Sequence, residues 1–235
     1  MHKILPMALI AILAIGCKGG ESTMSTSGGG AASPDATYTL KFAPKEGEKR
    51  SYEMTMVGGP VDIKLGMNME CTKVDGDKAT MVSTYDNVDM KIQGKPAPAQ
   101  ATEMLKSMKV TQTMDSTGKT IDTKVEGGMG GNEGAPEMNG MALPAKPVKI
   151  GDTWDGETKV SGQTVKAHYK LTAVDGNIAT LEVTMDGLPG GATLDGPMIS
   201  KIDLNNGMTE SMDMKMKEKS PDGKENVMAI SMKKK

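Results

Sequence analysis

The chain has 235 residues, with 28 lysines and arginines against 30 aspartates and glutamates, a formal net charge of −2 at pH 7. This near-balance excludes a strongly basic protein of the kind that binds nucleic acid or an anionic membrane through its overall charge. Methionine is unusually frequent at 23 residues, whereas aromatic residues make up only 3% of the chain.

The first segment, MHKILPMALIAILAIGC, has a short basic start, an apolar run from Ile4 to Ile15, and then Gly16 and Cys17. The run is too short to remain as a membrane-spanning helix. The segment resembles a bacterial lipoprotein signal, although Ala14 stands where an aliphatic residue is usual. The resemblance implies a signal peptide of residues 1–16, cleavage between Gly16 and Cys17, and acylation of Cys17.

Residues 17–37 are rich in glycine, serine and threonine and show no periodicity. They predict a flexible tether with a span of about 25 Å. Two or more acyl chains on Cys17 would hold the protein durably at a membrane. Lys18, rather than an aspartate, favours the outer membrane in hosts that follow the enterobacterial sorting rule. We therefore expect a lipid-anchored protein of the bacterial cell envelope, placed at the outer membrane.

From Tyr38 onward apolar residues recur at every second position, which is the period of half-buried strands. Tyr38–Phe42 gives the first such run, and Val61–Cys71 gives the longest. Asp-Gly and Asn-Gly pairs between the runs predict hairpin turns. A change of parity near Asp86 and Asn87 predicts a β-bulge. A short helix is predicted over Gln100–Ser107.

Residues 38–235 are expected to form a single β-rich domain. Residues 72–82 and 172–182 share a Thr-x-Val-Asp-Gly pattern, which suggests two similar halves, 38–126 and 143–235, joined by a Gly/Pro-rich loop over 127–142. The predicted fold is mainly β: an antiparallel meander of two similar halves that forms a curved sheet, a half-barrel or a sandwich, with one short helix.

Three stretches carry a family resemblance: KEGEKRSYEMTM at residues 45–56, KPVKIGDTWDGE at 146–157 and IDLNNGM at 202–208. Together with the Val-Asp-Gly hairpins, they resemble a group of uncharacterised bacterial lipoproteins classed only as a domain of unknown function. In that group a Gly-Asp-x-Trp element follows a proline-rich loop and opens the second half. The resemblance covers most of residues 38–235 and implies a β-rich lipoprotein fold without an assigned activity.

Residues suited to catalysis are few. After loss of the signal, His168 is the only histidine, and it lies at a polar position between two lysines. No nucleophile, zinc or phosphate-loop motif is present, and the Asp75-Gly76-Asp77 turn lacks the other ligands of a calcium loop. With Cys17 lipidated, Cys71 is the only thiol. The sequence thus predicts a protein that is not an enzyme, with no catalytic residues and no cofactor.

Methionine is the one abnormal feature of the folded part. Most methionines fall at strand positions that other proteins fill with valine, isoleucine or leucine, and we interpret these as core residues. Met129, Met138 and Met141 lie in the loop, where no core is expected. Because thioethers are soft ligands for Cu(I), these three are the candidate metal site.

We rank an envelope lipoprotein that binds an apolar small molecule or an envelope protein first. A methionine-rich Cu(I)-binding protein and a structural surface scaffold are the alternatives, and a hydrolase ranks behind copper binding. The expected partner is the membrane, reached through the N-terminal lipid anchor, and no nucleic acid is expected.

Overall fold

The computed structural model describes residues 36–127, 141–160, 163–219 and 225–235. Strands make up 64% of the described residues and form one antiparallel, open sheet. The elements are β1 Lys49–Val57, β2 Val61–Asp75, β3 Lys78–Ile92, β4 Lys95–Pro96, α1 Ala99–Ser107, β5 Lys109–Asp115, β6 Thr120–Glu126, β7 Thr153–Val160, β8 Gln163–Asp175, β9 Ile178–Asp186, a 3-10 turn Pro189–Gly191, β10 Thr193–Leu194, β11 Met198–Asp203, β12 Thr209–Lys219 and β13 Glu225–Lys234.

The strand order shows the two halves. Across the sheet the order is β6-β5-β3-β2-β1-β13-β12-β11-β9-β8-β7, with β4 paired to β3 and β10 paired to β12. Five strands of the first half, β6 to β1, stand in the same relative order as five strands of the second half, β12 to β7. The last strand, β13, joins the halves by pairing with β1 on one side and β12 on the other.

The approaches to β1 and β7 are built alike. Gly47 and Gly151 both have positive φ, 80° and 96°. The Gly47 N–H donates to Cys71 O in the β2–β3 hairpin, and the Gly151 N–H donates to Leu171 O at the equivalent place in the β8–β9 hairpin, both at 2.7 Å. Each hairpin then shifts its register directly after that residue. The predicted mainly-β meander of two similar halves is confirmed.

The sheet is strongly curled. If it were flat, β5 and β11 would lie about 29 Å apart, six strand spacings of about 4.8 Å. However, the backbone N–H of Phe42 donates to Ser116 O in the β5–β6 turn at 3.2 Å, and that of Ala43 donates to Asn206 O in the β11–β12 turn at 2.6 Å. Phe42 and Ala43 are consecutive, and each contacts one of the two turns. The sheet must therefore bend so that the two turns lie close together.

The long alternating stretch behaves as predicted. All six apolar residues from Val61 to Cys71 are buried within β2, between 0 and 7% exposed. The predicted bulge is confirmed, because the β2–β3 register shifts between Lys64 and Gly66, and Asn87 has a φ of 48°. The predicted helix is also confirmed as α1, which packs on β3.

One strand prediction is wrong. Tyr38–Phe42 is not a strand; it makes one bridge, from Tyr38 to Val148. The reason is that this segment crosses the end of the curled sheet and bonds to turns. The strand β6 lies at an edge of the sheet, and its Ile121 is 49% exposed. The strand β7, which contains Trp154, was not predicted from the sequence.

Candidate functional site

The inner face of the curled sheet is largely apolar. One row of paired residues crosses seven strands, and thirteen methionines are buried in the same core. Methionine side chains are unbranched and flexible, so a face made of them can repack around partners of varied shape. The row consists of Leu171, Leu181, Ser200, Met212, Met232, Met54 and Leu65.

One end of this interior is sealed. The segment before β1 crosses it, with Leu40 and Phe42 at 1 and 0% exposed, and Met208 from the β11–β12 turn is equally buried. The contact is close, because a Cβ added at Gly207 would overlap the carbonyl oxygen of Lys41. We call this the sealed end.

A buried arginine fixes the sealed end. The Arg50 guanidinium donates to Asp203 Oδ2 at 3.1 Å and to Glu48 Oε1 at 3.3 Å, and it also contacts Glu210. Asn206 donates to the same Glu48 oxygen at 2.7 Å. Burial alone would lower the pKa of Arg50, but the hydrogen bond to Asp203 and the charge and hydrogen bond of Glu210 raise it. The arginine stays charged and ties β1 to the β11–β12 turn.

We call the opposite end the open end. Among the described residues it holds the β1–β2 turn, the end of β3, the helix α1 that packs on β3, and the start of β13. Among the described residues, three of the four exposed large apolar residues lie here, namely Val57, Ile92 and Val227, each at least 40% exposed. Val57 and Val227 point to the outer face, because they alternate with Met56 and Met228. The half-buried apolar residues at this end are Val88, Met90, Met108, Met185, Leu194 and Met228.

Two hydroxyls lie inside this apolar face without a hydrogen-bond partner among the described residues. They are Tyr85 Oη on β3 and Ser200 Oγ on β11, in side chains 6 and 0% exposed. Burial raises the pKa of Tyr85 to about 12, so its hydroxyl keeps its proton. An unpaired buried hydroxyl is unfavourable by about 1–3 kcal/mol. Both groups can therefore gain from a polar atom that reaches the interior.

The Gly-Asp-x-Trp motif has a structural role. Trp154 stacks on Tyr169 with ring centroids 5.5 Å apart. The Trp154 indole donates to Ala142 O at 2.8 Å, and Tyr169 Oη accepts the Ala142 N–H at 3.2 Å. Gly156 leaves room for this contact, because a Cβ there would overlap Ala142. The motif thus fixes the backbone at Ala142, where the polypeptide enters the second half, against β7 and β8.

His168 lies on the outer face of the sheet. Its Nδ1 is 2.7 Å from Asp155 Oδ1, and its Nε2 is 3.1 Å from Asp186 Oδ2. Hydrogen bonds to Asp155 and then Asp186 raise its pKa above 6.5. The side chain is 44% exposed and faces away from the apolar interior. This geometry makes His168 part of an outer-face ion pair.

The sequence-predicted site residues are only partly described. Gly16, Cys17, Met129 and Met138 lie outside the described residues. Met141 is 7% exposed and packs in the core, so the expectation that it had no core to fill is wrong. The copper site itself stays a prediction.

Within the described ranges, no cluster of three or more histidine, cysteine, aspartate or glutamate side chains could hold a metal. Burial raises the pKa of the Cys71 thiol to about 11, which makes it a poor nucleophile. No helix in these ranges is long and apolar enough to cross a membrane.

Sequence reasoning did not select the polar residues of the interior. Arg50 shares the parity of Tyr52 and Met54, and Ser200 stands between Met198 and Ile202. A polar residue at an inward-facing strand position was the available signal for both. Tyr85 gave no such signal, since only the fold shows that its hydroxyl is unpaired.

The fold and the apolar interior define a β-rich protein without a recognisable catalytic centre in the described ranges. Residues 133–221 match a family of unknown function (DUF6263). The expected likeness to an uncharacterised family is confirmed over that stretch, which includes the Gly-Asp-x-Trp motif; its lipoprotein character stays a prediction.

No curated protein matches the chain. Among solved structures, a DUF1329 family protein from Desulfovibrio piger is similar at 11% identity and a TM-score of 0.27, over 78% of this chain and 82% of that chain. A likeness of that size carries no argument about function.

Proposed function

We propose that this protein is a lipid-anchored component of the bacterial envelope that binds one alkyl or acyl chain in its methionine-lined interior. The observation that carries the proposal is the difference between the two ends of the sheet. Leu40 and Phe42 close one end, whereas half-buried apolar residues surround the other. The open end is the entrance through which the alkyl or acyl chain of the ligand is taken up.

The lining suits such a ligand. Methionine side chains can move aside to admit a flexible chain, and burying each CH₂ group is favourable by about 0.8 kcal/mol. Tyr85 and Ser200 add two unpaired hydroxyls to the same face. They fit a ligand that carries a carboxyl, ester or hydroxyl group at one point of its chain.

Tyr85→Phe tests the ligand proposal. The probe is a C16 fatty acid carrying a fluorophore, titrated into the purified protein. We expect its affinity to fall about fivefold, the effect of one hydrogen bond of about 1 kcal/mol. The free energy of unfolding should stay unchanged or rise, because the lost hydroxyl has no partner among the residues that the structure describes.

Tyr38→Phe is the matched control, since Tyr38 is half-buried and lies in the segment before β1, where it bridges to Val148. A second pair of variants introduces a negative charge: Met90→Glu at the open end, and Ile121→Glu on the edge strand β6. Only Met90→Glu should prevent binding of the fatty-acid probe. Absence of probe binding to the unchanged protein, or equal loss in both members of a pair, would favour the scaffold alternative. Native mass spectrometry of the isolated protein separates a bound lipid from Cu(I) adducts.

The lipid anchor has its own test. Cys17→Ser should move the protein from the membrane fraction to the soluble fraction, because the acylated side chain is lost. Cys71→Ser is the control, as its sulfur is buried in the core, and this variant should stay with the membrane. Membrane fractionation of Cys17→Ser would contradict the anchor.

A further inference from the structure

A groove of about 440 Å³ lies on the outer face of the sheet, on the side opposite to the methionine-lined interior. It crosses the strands β9, β11, β12 and β13 near the β8–β9 turn. Four lysines, two hydroxyl residues and two carboxylate residues line it together with Ile178. Its chemistry is therefore cationic and polar, in contrast to the inner face.

The strand register places four of these side chains in one row. Thr180 pairs with Lys201, Lys201 with Ser211, and Ser211 with Lys233. At about 4.8 Å per strand, the Cα atoms of the two lysines lie about 10 Å apart with the serine midway between them. Both ammonium groups can swing over the Ser211 hydroxyl, since lysine side chains are long and flexible.

The two lysines of the row have no ion-pair partner among the described residues. Other lysines of the sheet do pair, as Lys64 does with Glu53 at 3.1 Å. The carboxylate of Glu210, which lines the groove, is taken by Arg50 and by Lys234, the latter at 2.7 Å. Asp175 is the last residue of β8 and lies at one side of the groove, outside the row.

We infer that the row of Thr180, Lys201, Ser211 and Lys233 is a binding site for a phosphate group. A tetrahedral phosphate offers several strong acceptor oxygens, which match two ammonium groups and two hydroxyl donors. The two lysines are close enough to repel each other, and a bound dianion removes that repulsion. The site is independent of the ligand proposed for the interior, because the sheet separates the two faces.

The test is a titration of the purified protein with inorganic phosphate at low ionic strength, followed by amide NMR shifts. We expect saturable shifts centred on Ser211 and Lys201. Lys201→Gln with Lys233→Gln should weaken binding at least tenfold. Ser211→Ala should weaken it severalfold, which a diffuse positive surface would not show.

Lys215→Gln is the charge-matched control, because Lys215 is exposed on the same face of β12 outside the groove. It should leave the affinity nearly unchanged. Vesicles of phosphatidylcholine with and without phosphatidic acid form a second arm, and tighter lysine-dependent binding to either probe identifies free phosphate or a lipid headgroup as the source. Absence of lysine-dependent binding to both probes, or equal loss in Lys215→Gln, or no effect of Ser211→Ala, would overturn the inference.

Discussion

A single imidazole on the outer face links stability to pH. Protonated His168 can donate from both ring nitrogens, to Asp155 and to Asp186, and this pairing raises its pKa above 6.5. A raised pKa in the folded state means that folding favours the protonated form. The contribution to stability is complete below about pH 6.5, the ordinary histidine pKa, and is lost as the pH rises through the folded value.

We therefore expect the difference in unfolding free energy between the unchanged protein and His168→Gln to shrink as the pH is raised through that range. Urea unfolding at a series of pH values measures it, and an NMR titration of the His168 ring gives the folded pKa directly. A ring that titrates at or below 6.5 would show that the two carboxylates do not act on it in solution.

The elements fall into those that the sequence pattern could specify and those that it could not. β2 was predictable because its alternation runs unbroken over eleven residues, and the bulge because one parity change stands inside a long run. The segment before β1 alternates just as clearly, yet its hydrogen bonds go to distant turns, which no local pattern can show. β7 could not be predicted, because the motif around Trp154 contains too few apolar residues to show an alternating pattern.

The bulge in the β2–β3 hairpin depends on one glycine. A Cβ added at Gly66 would overlap Asp86 Oδ1. Asp86 in turn accepts a hydrogen bond from Asn68 at 2.8 Å. Gly66→Ala should lower the free energy of unfolding by about 1–3 kcal/mol, the usual effect of overpacking.

Urea unfolding is the measurement for Gly66→Ala, and the double variant with Asp86→Ala is the control. If the overlap is the cause, the alanine at position 66 should have little effect once the carboxylate is gone. An equal loss in both backgrounds would mean that glycine is needed there for another reason.

At the scale of the whole molecule, the buried Arg50 network holds the sealed end together. Removing the guanidinium would leave Glu48, Asp203 and Glu210 facing one another without a buried counter-charge. Arg50→Met should therefore destabilise the fold by about 3–5 kcal/mol, the range for breaking a buried ion pair. Urea unfolding gives the value.

The neighbouring Lys49→Met is the control for Arg50→Met. Lys49 pairs with Glu70 at 3.3 Å, with side chains 70 and 43% exposed. An exposed pair of this kind contributes at most about 1 kcal/mol. Similar losses in the two variants would mean that burial does not distinguish the Arg50 network.

The candidate site was less predictable than the fold. Alternation showed which methionines face inward, because it is a property of each strand alone. Which end of the interior is closed depends on where the first folded segment crosses the sheet. The pairing of Lys201 and Lys233 across Ser211 depends on register between strands that are distant in the chain. Neither can be read from a single stretch of residues.

The position of β13 has a consequence for how the protein is made. This strand comes later in the chain than every other, yet it fills the centre of the sheet between β1 and β12. Until residues 225–234 have been synthesised, both neighbours present unpaired backbone edges, which are templates for self-association. The sheet becomes continuous between the two halves only when β13 has paired, which is a late, long-range step, and we expect the newborn chain to need protection from aggregation until that step is complete.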